Sequence, residues 1–189
     1  MNHAHEIIIA GFGGQGVLSM GQIISYSAMK EGKEVSWMPS YGPEMRGGTA
    51  NCIVIVSEQR ISSPIVTRFD TAIVLNQPSL DKFQAAVKPG GLLLYERSTI
   101  ITPPTRTDIE VMGIPGLEEA QRLTSKQVAN MVLLGAFLER RPVVKRENVI
   151  SALHSVLPPH RQHLLPANEQ ALARGRELAL EHAGRLVES

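Results

Sequence analysis

The stretch Glu6-Ile7-Ile8-Ile9-Ala10-Gly11-Phe12-Gly13-Gly14-Gln15-Gly16-Val17-Leu18 decides how this chain folds. Residues 6–10 form a short β-branched run without polar alternation, the pattern of a parallel strand buried on both faces. Residues 11–16 then punctuate the chain as a tight turn. Beyond it Val17, Leu18, Ile23, Ile24 and Ala28 recur at helical spacing, and Gly32 follows Glu31 where a helix C-cap belongs. Strand, glycine turn and helix in that order predict the opening unit of an α/β sheet.

Working outward, residues 34–38 read as a second strand and residues 39–48 as an irregular loop rich in turn formers. Further strands are expected at 50–56, 71–75, 91–95 and 109–112, with a crossover helix at 80–87. The 50–56 run is close enough to 61–66 to form a hairpin, so the sheet is mostly parallel or mixed. After Pro115 the character turns helical, with amphipathic spacing over 125–139, 147–157 and 168–185, interrupted at Pro142 and Pro158-Pro159. The expected architecture is a single Rossmann-like α/β domain over 1–189. Its sheet portion with flanking helices spans 6–115, and a helical portion at 116–186 packs on it.

Composition narrows the function classes. The 189 residues carry 19 Lys and Arg against 18 Asp and Glu, a net charge of +1. That balance offers no electrostatic reason for nucleic acid or an anionic membrane as partner. The cluster Arg140, Arg141, Lys145 and Arg146 reads as solvated surface. No stretch reaches the roughly 20 apolar residues that span a bilayer. The first residues lack a positive region, and the apolar run 7–10 is too short for a signal peptide. The single cysteine, Cys52, makes no internal disulfide, so a cytoplasmic setting is expected.

Gly11-Phe12-Gly13-Gly14-Gln15-Gly16 fits G-x-G-x-x-G between a strand and a helix. Glycines let the backbone approach closely, and a helix N-terminus points free N–H groups at an anion. A dinucleotide site also needs an acidic residue at the end of the second strand to hold the ribose. That strand ends in Trp37-Met38-Pro39, and Glu34 sits at its start. A phosphate-binding P-loop is excluded, because Val17-Leu18 follows Gly16 in place of Lys and Ser or Thr. Two readings stay open: a turn that only packs, and a turn that meets a ligand.

Other chemistry is thin. Without a Cys-x-x-Cys pair the chain cannot hold an iron–sulfur cluster through its own thiolates, and no thiamine-anchoring Gly-Asp-Gly motif is present. His3 with His5, and His160 with His163, lack companion ligands and read as surface, so no metal site is assigned. Cys52 lies in an apolar strand, where a buried inert thiol is the default. No residue is assigned a catalytic role.

The second informative segment is Ser40-Tyr41-Gly42-Pro43-Glu44-Met45-Arg46-Gly47-Gly48-Thr49-Ala50-Asn51. It gathers Tyr41, Glu44 and Arg46 on one loop. Arg46 suits bidentate pairing with a carboxylate or phosphate, and Gly47-Gly48 admit a close neighbouring backbone. Such a loop binds a ligand, docks a partner, or closes on an internal Arg46–Glu44 pair.

With these two segments in order, the sequence resembles the gamma subunit, or gamma domain, of 2-oxoacid:ferredoxin oxidoreductases, the enzymes of pyruvate, 2-oxoglutarate and branched-chain 2-oxoacids. Three further matches carry the resemblance: Ser63-Pro64 ahead of Asp70, Ala129-Asn130-Met131 through Leu134-Gly135-Ala136, and Asn168-Glu169-Gln170-Ala171-Leu172 followed by Gly175. It runs from about residue 6 to 176.

The resemblance implies an accessory subunit of a heteromeric enzyme that oxidatively decarboxylates a 2-oxoacid to acyl-coenzyme A, inactive when isolated. Thiamine diphosphate, Mg, iron–sulfur clusters and coenzyme A would be handled through other subunits. The implied partners are thiamine-binding alpha and beta subunits and a ferredoxin-like cluster subunit, and the isolated chain is open to forming a homodimer. Both loops are expected to follow the C-terminal ends of adjacent parallel strands and so to meet. Tyr41, Glu44, Arg46, Gly47, Gly48, Asn51 and Asn130 are the expected interface residues. Gly11, Gly13, Gly14, Gln15, Gly16 and Arg46 are the expected contacts for a coenzyme A phosphate or a neighbouring subunit. A free-standing nucleotide-binding oxidoreductase and a non-enzymatic interaction module are the alternatives.

Overall fold

Three consecutive isoleucines set the layering. The computed structural model describes residues 4–41, 48–123 and 126–187. Within strand β1, His5–Phe12, the side chains of Ile7, Ile8 and Ile9 are all 0% exposed. Successive side chains of a strand point to opposite faces, and each face here has its own core. Ile7 and Ile9 join one cluster, Ile8 the other.

The sheet has six strands in the order β2-β3-β1-β4-β5-β6. The strands after β1 are β2, Glu34–Tyr41; β3, Thr49–Ser57; β4, Phe69–Val74; β5, Val87–Glu96; and β6, Glu110–Ile114. β1, β4, β5 and β6 run parallel, whereas β3 pairs antiparallel with both β1 and β2. The sheet is therefore mixed.

Helix α1, Val17–Lys30, covers the first face together with the C-terminal helices α3, Gly116–Leu123; α4, Ala129–Arg140; α5, Arg146–Val156; and α6, Leu165–Val187. Every residue of α4 from 129 to 137 is buried, as expected of a helix enclosed on all sides. The second face is served by α2, Gln77–Phe83, through Leu80 and Phe83.

Several expectations are corrected. The hairpin between 50–56 and 61–66 does not form. β3 has β1 on one edge and β2 on the other, which leaves no free edge for the later run. The second strand continues through Pro39 to Tyr41, where a loop was expected from residue 39. β2 is an edge strand, the place in a sheet where a residue without an N–H is tolerated. The expected 80–87 helix starts earlier and stops sooner. Asn76 caps α2 by accepting the Ser79 N–H through Oδ1 at 2.9 Å, and Val87 opens β5.

Candidate functional site

The C-terminal ends of β1 and β4 and the first residues of β3 meet at one edge of the sheet. Phe12 stands opposite Thr49 and Gly11 opposite Ala50, so β3 begins beside the glycine turn. The Gly13 N–H donates to the Gly48 carbonyl at 3.0 Å. The two signature segments are therefore neighbours, but not through adjacent parallel strands: β3 lies between β1 and β2 and runs against both.

The turn is stitched to everything around it. The Gln15 N–H donates to the Phe12 carbonyl at 3.2 Å, closing the reverse turn. The Gln15 side chain folds back over the strand end. Its Oε1 accepts the Phe12 N–H at 2.6 Å, and its Nε2 donates to the Leu75 carbonyl at 3.3 Å. The amide orientation follows from the partners, since only its oxygen can meet an N–H and only its nitrogen a carbonyl. The Thr99 hydroxyl donates to the same Leu75 carbonyl at 2.8 Å. A Cβ at Gly11 would lie 2.7 Å from Gln15 Oε1, so the amide would have to move off the strand end to admit it.

Gly16 precedes α1 with φ 79° and ψ 17°, the left-handed region that glycine enters without steric cost. Its carbonyl accepts the Met20 N–H at 3.0 Å and the Asn130 Nδ2 at 3.3 Å. A Cβ at Gly16 would come within 2.7 Å of Asn130 Cγ. Asn130 is buried in the first turn of α4, so its amide locks the glycine turn onto the C-terminal helices.

Phe12, Gly13, Gly14 and Ser19 remain exposed at this edge. Among the described residues the N–H groups of Gly14 and Gly16 are not taken up by the turn's hydrogen bonds. The first turn of α1 follows directly, and the first N–H groups of a helix lack an intrahelical partner and suit an anion.

Of the other expected site residues, Gly48 is buried beside Gly13, and Tyr41 closes β2 opposite Ala50. Asn51 is half-buried in β3 between Ala10 and Ser40. Glu44, Arg46 and Gly47 lie outside the described residues. Thr99 and Glu96 were not anticipated. Glu96 is 2% exposed at the end of β5, where Oε1 accepts the Ser98 N–H and Oε2 the Leu117 N–H, each at 3.0 Å. Burial pushes its carboxyl above the usual range, and those backbone donors pull the other way. Cys52 lies against α1 in the first core, with its thiol pushed up to about 12 by burial, so it offers no nucleophile.

A cleft of about 580 Å³ opens away from this edge, and its charged rim is largely self-compensated. Lys33 pairs with Glu31 at 3.1 Å there, and Arg176 with Glu139 at 2.8 Å. Among the described residues no group of three or more His, Cys, Asp or Glu could hold a metal ion. No helix among them is long and apolar enough to cross a membrane.

The family model described as pyruvate ferredoxin/flavodoxin oxidoreductase matches residues 6–178. Ketoisovalerate oxidoreductase subunit VorA of Methanothermobacter thermautotrophicus is 46% identical over 133 residues, covering 70% of this chain and 28% of that protein. The chain thus spans under a third of that relative's length. 2-Oxoglutarate synthase subunit KorC of Methanocaldococcus jannaschii is 32% identical over 179 residues, 93% of this chain and 94% of its own. The crystal structure of the gamma subunit of a keto/oxoacid ferredoxin oxidoreductase from Geobacter sulfurreducens superposes with a TM-score of 0.80. It is 31% identical, over 94% of this chain and 99% of that one.

Proposed function

Since the chain belongs to the pyruvate ferredoxin/flavodoxin oxidoreductase family, we propose that it serves as the gamma subunit of a heteromeric 2-oxoacid:ferredoxin oxidoreductase. In this reading it contributes a docking and ligand-receiving edge and no reacting group of its own. The observation that carries the reading is the Gly13–Gly48 hydrogen bond, which joins the exposed glycine turn to the start of β3, where the second motif resumes.

Thiamine-binding alpha and beta subunits and a ferredoxin-like cluster subunit are the proposed partners. They would hold the thiamine diphosphate, Mg and iron–sulfur clusters, for which this chain offers no thiolate pair. The proposed ligand of the edge is coenzyme A. The Gly14 and Gly16 N–H groups, left unused by the turn, would donate to one of its phosphates, with Arg46 as a second, bidentate donor. The N–H groups of Gly13 and Gln15 are already used inside the fold. In this reading substrate choice belongs to the other subunits; the relatives are named as subunits of a ketoisovalerate oxidoreductase in one case and of a 2-oxoglutarate synthase in another.

The test is a gentle pull-down of the tagged chain from its native host, followed by assay. Co-purified thiamine- and cluster-bearing subunits with coenzyme A-dependent 2-oxoacid oxidation are expected. In that assembly Arg46→Ala should weaken coenzyme A binding about tenfold, the loss of one charged hydrogen-bonding partner. A chain that arrives alone and binds a nucleotide tightly would replace this reading with that of a free-standing oxidoreductase.

A further inference from the structure

In an open α/β sheet, dinucleotides cross the crevice at the point where consecutive helices switch faces. That point lies here between β1 and β4. α1 packs on one face through Met20, Ile23 and Ile24, and α2 on the other through Leu80. The crevice is spanned by the protein's own side chain. The Gln15 amide bridges the Phe12 N–H on β1 and the Leu75 carbonyl just past β4, with Thr99 on the same carbonyl.

Each glycine of the G-x-G-x-x-G motif is likewise used internally. The space over Gly11 holds Gln15 Oε1, the Gly13 N–H is spent on Gly48, and Asn130 occupies the space over Gly16. In a dinucleotide site, those same glycines make room for the tight turn, the pyrophosphate and the helix.

We propose that Gln15 is the specificity-determining residue of the glycine turn: its amide stands in the β1–β4 crevice in place of a dinucleotide and leaves only the outer rim, Gly14 and Gly16, open to an anion. The turn thus keeps the form of a nucleotide motif while refusing the ligand that spans it. A rim-bound phosphate does not require the crevice to open. The inference goes beyond the subunit role and is independent of it, since it concerns binding by the chain alone and not turnover of an assembly.

The full chain is titrated with NADH and followed by nucleotide fluorescence, as wild type and as Gln15→Ala, with circular dichroism to confirm folding. Wild type should show no saturation up to about 1 mM, and the Ala variant a gain of about tenfold or more. Saturable NADH binding by wild type overturns the proposal, as does a folded Ala variant as blind to NADH as wild type. A second measurement needs no variant. Amide exchange at Phe12 should be about a hundredfold slower than at Gly14, because the first N–H is stapled and the second is open. Equal rates would show that the staple is not closed, and the proposal would fall.

Discussion

The two ends of the same parallel strands are built from opposite materials. At their N-terminal ends, charges face one another. Lys88 on β5 pairs with Glu6 on β1 at 2.6 Å and with Asp70 on β4 at 2.9 Å, while Arg140 and Arg141 both reach Glu110 on β6. His5 is tucked in beside them, with Nε2 on the Thr71 hydroxyl at 2.9 Å and its ring 6.2 Å from that of Phe137. At the C-terminal ends of β1 and β4 the groups are neutral: glycine backbone, the amides of Gln15 and Asn130, and the Thr99 hydroxyl. One end neutralises its charges within the fold, and the other holds backbone donors at an exposed rim. Glu96 is the buried acid of the second end, and it acts as a cap.

The contrast breaks most sharply at Gly16. Gly16→Ala forces an L-residue into the left-handed region and drives a Cβ into Asn130, so a loss of about 3 kcal/mol is expected in urea denaturation. Pairing it with Asn130→Ala should recover the part due to the clash and leave the backbone part. A single mutant as stable as wild type would mean that the turn is not held against α4.

At the opposite end the effect should be smaller and ionic. Lys88→Met leaves Glu6 and Asp70 without their cation, yet all three side chains are a quarter or more exposed. A loss of about 1 kcal/mol is expected, shrinking in high salt. The same salt series on Gly16→Ala should be flat.

The smallest expected effect is a pH slope at His5. Burial is the main cause holding its pKa below the ordinary 6.5, ahead of the opposing pull of Asp70. Arg141 and Lys88 push the same way as burial, and Glu6 pulls back. The unfolded chain therefore binds this proton more readily, and stability falls as pH drops from 6.5 toward the folded value. Urea midpoints measured between pH 7 and 5.5 should drop less in His5→Gln than in wild type. Glu96, raised by burial, carries the opposite sign, losing stability as pH rises from 4.5 through its folded value.

Much of the fold was legible along the chain because its signals are local. The β-branched run, the glycine turn and the helical spacing after Val17 need only a dozen neighbouring residues, and β1 and α1 stand where that pattern puts them. The Ser40–Asn51 motif was equally legible, although its ends lie in β2 and β3 and residues 42–47 are outside the described residues. Pro39 misled because its missing N–H argues against a strand only in the middle of a sheet, and position in the sheet is not a local property. The hairpin expected at 61–66 failed for a related reason: nearness in sequence is no guide once β1 and β2 have taken both edges of β3.

The sequence by itself determined an α/β chain with a strand–glycine–helix start, a helical C-terminal part and the motifs of its family. Tertiary structure alone decided that β3 enters between β1 and β2, that Gln15 closes the crevice, and that Asn130 fastens a turn 114 residues away in the chain. The physical reason is that periodicity and turn chemistry are set by adjacent residues. Strand order and the partner of a buried amide are set by which distant surfaces exclude water together.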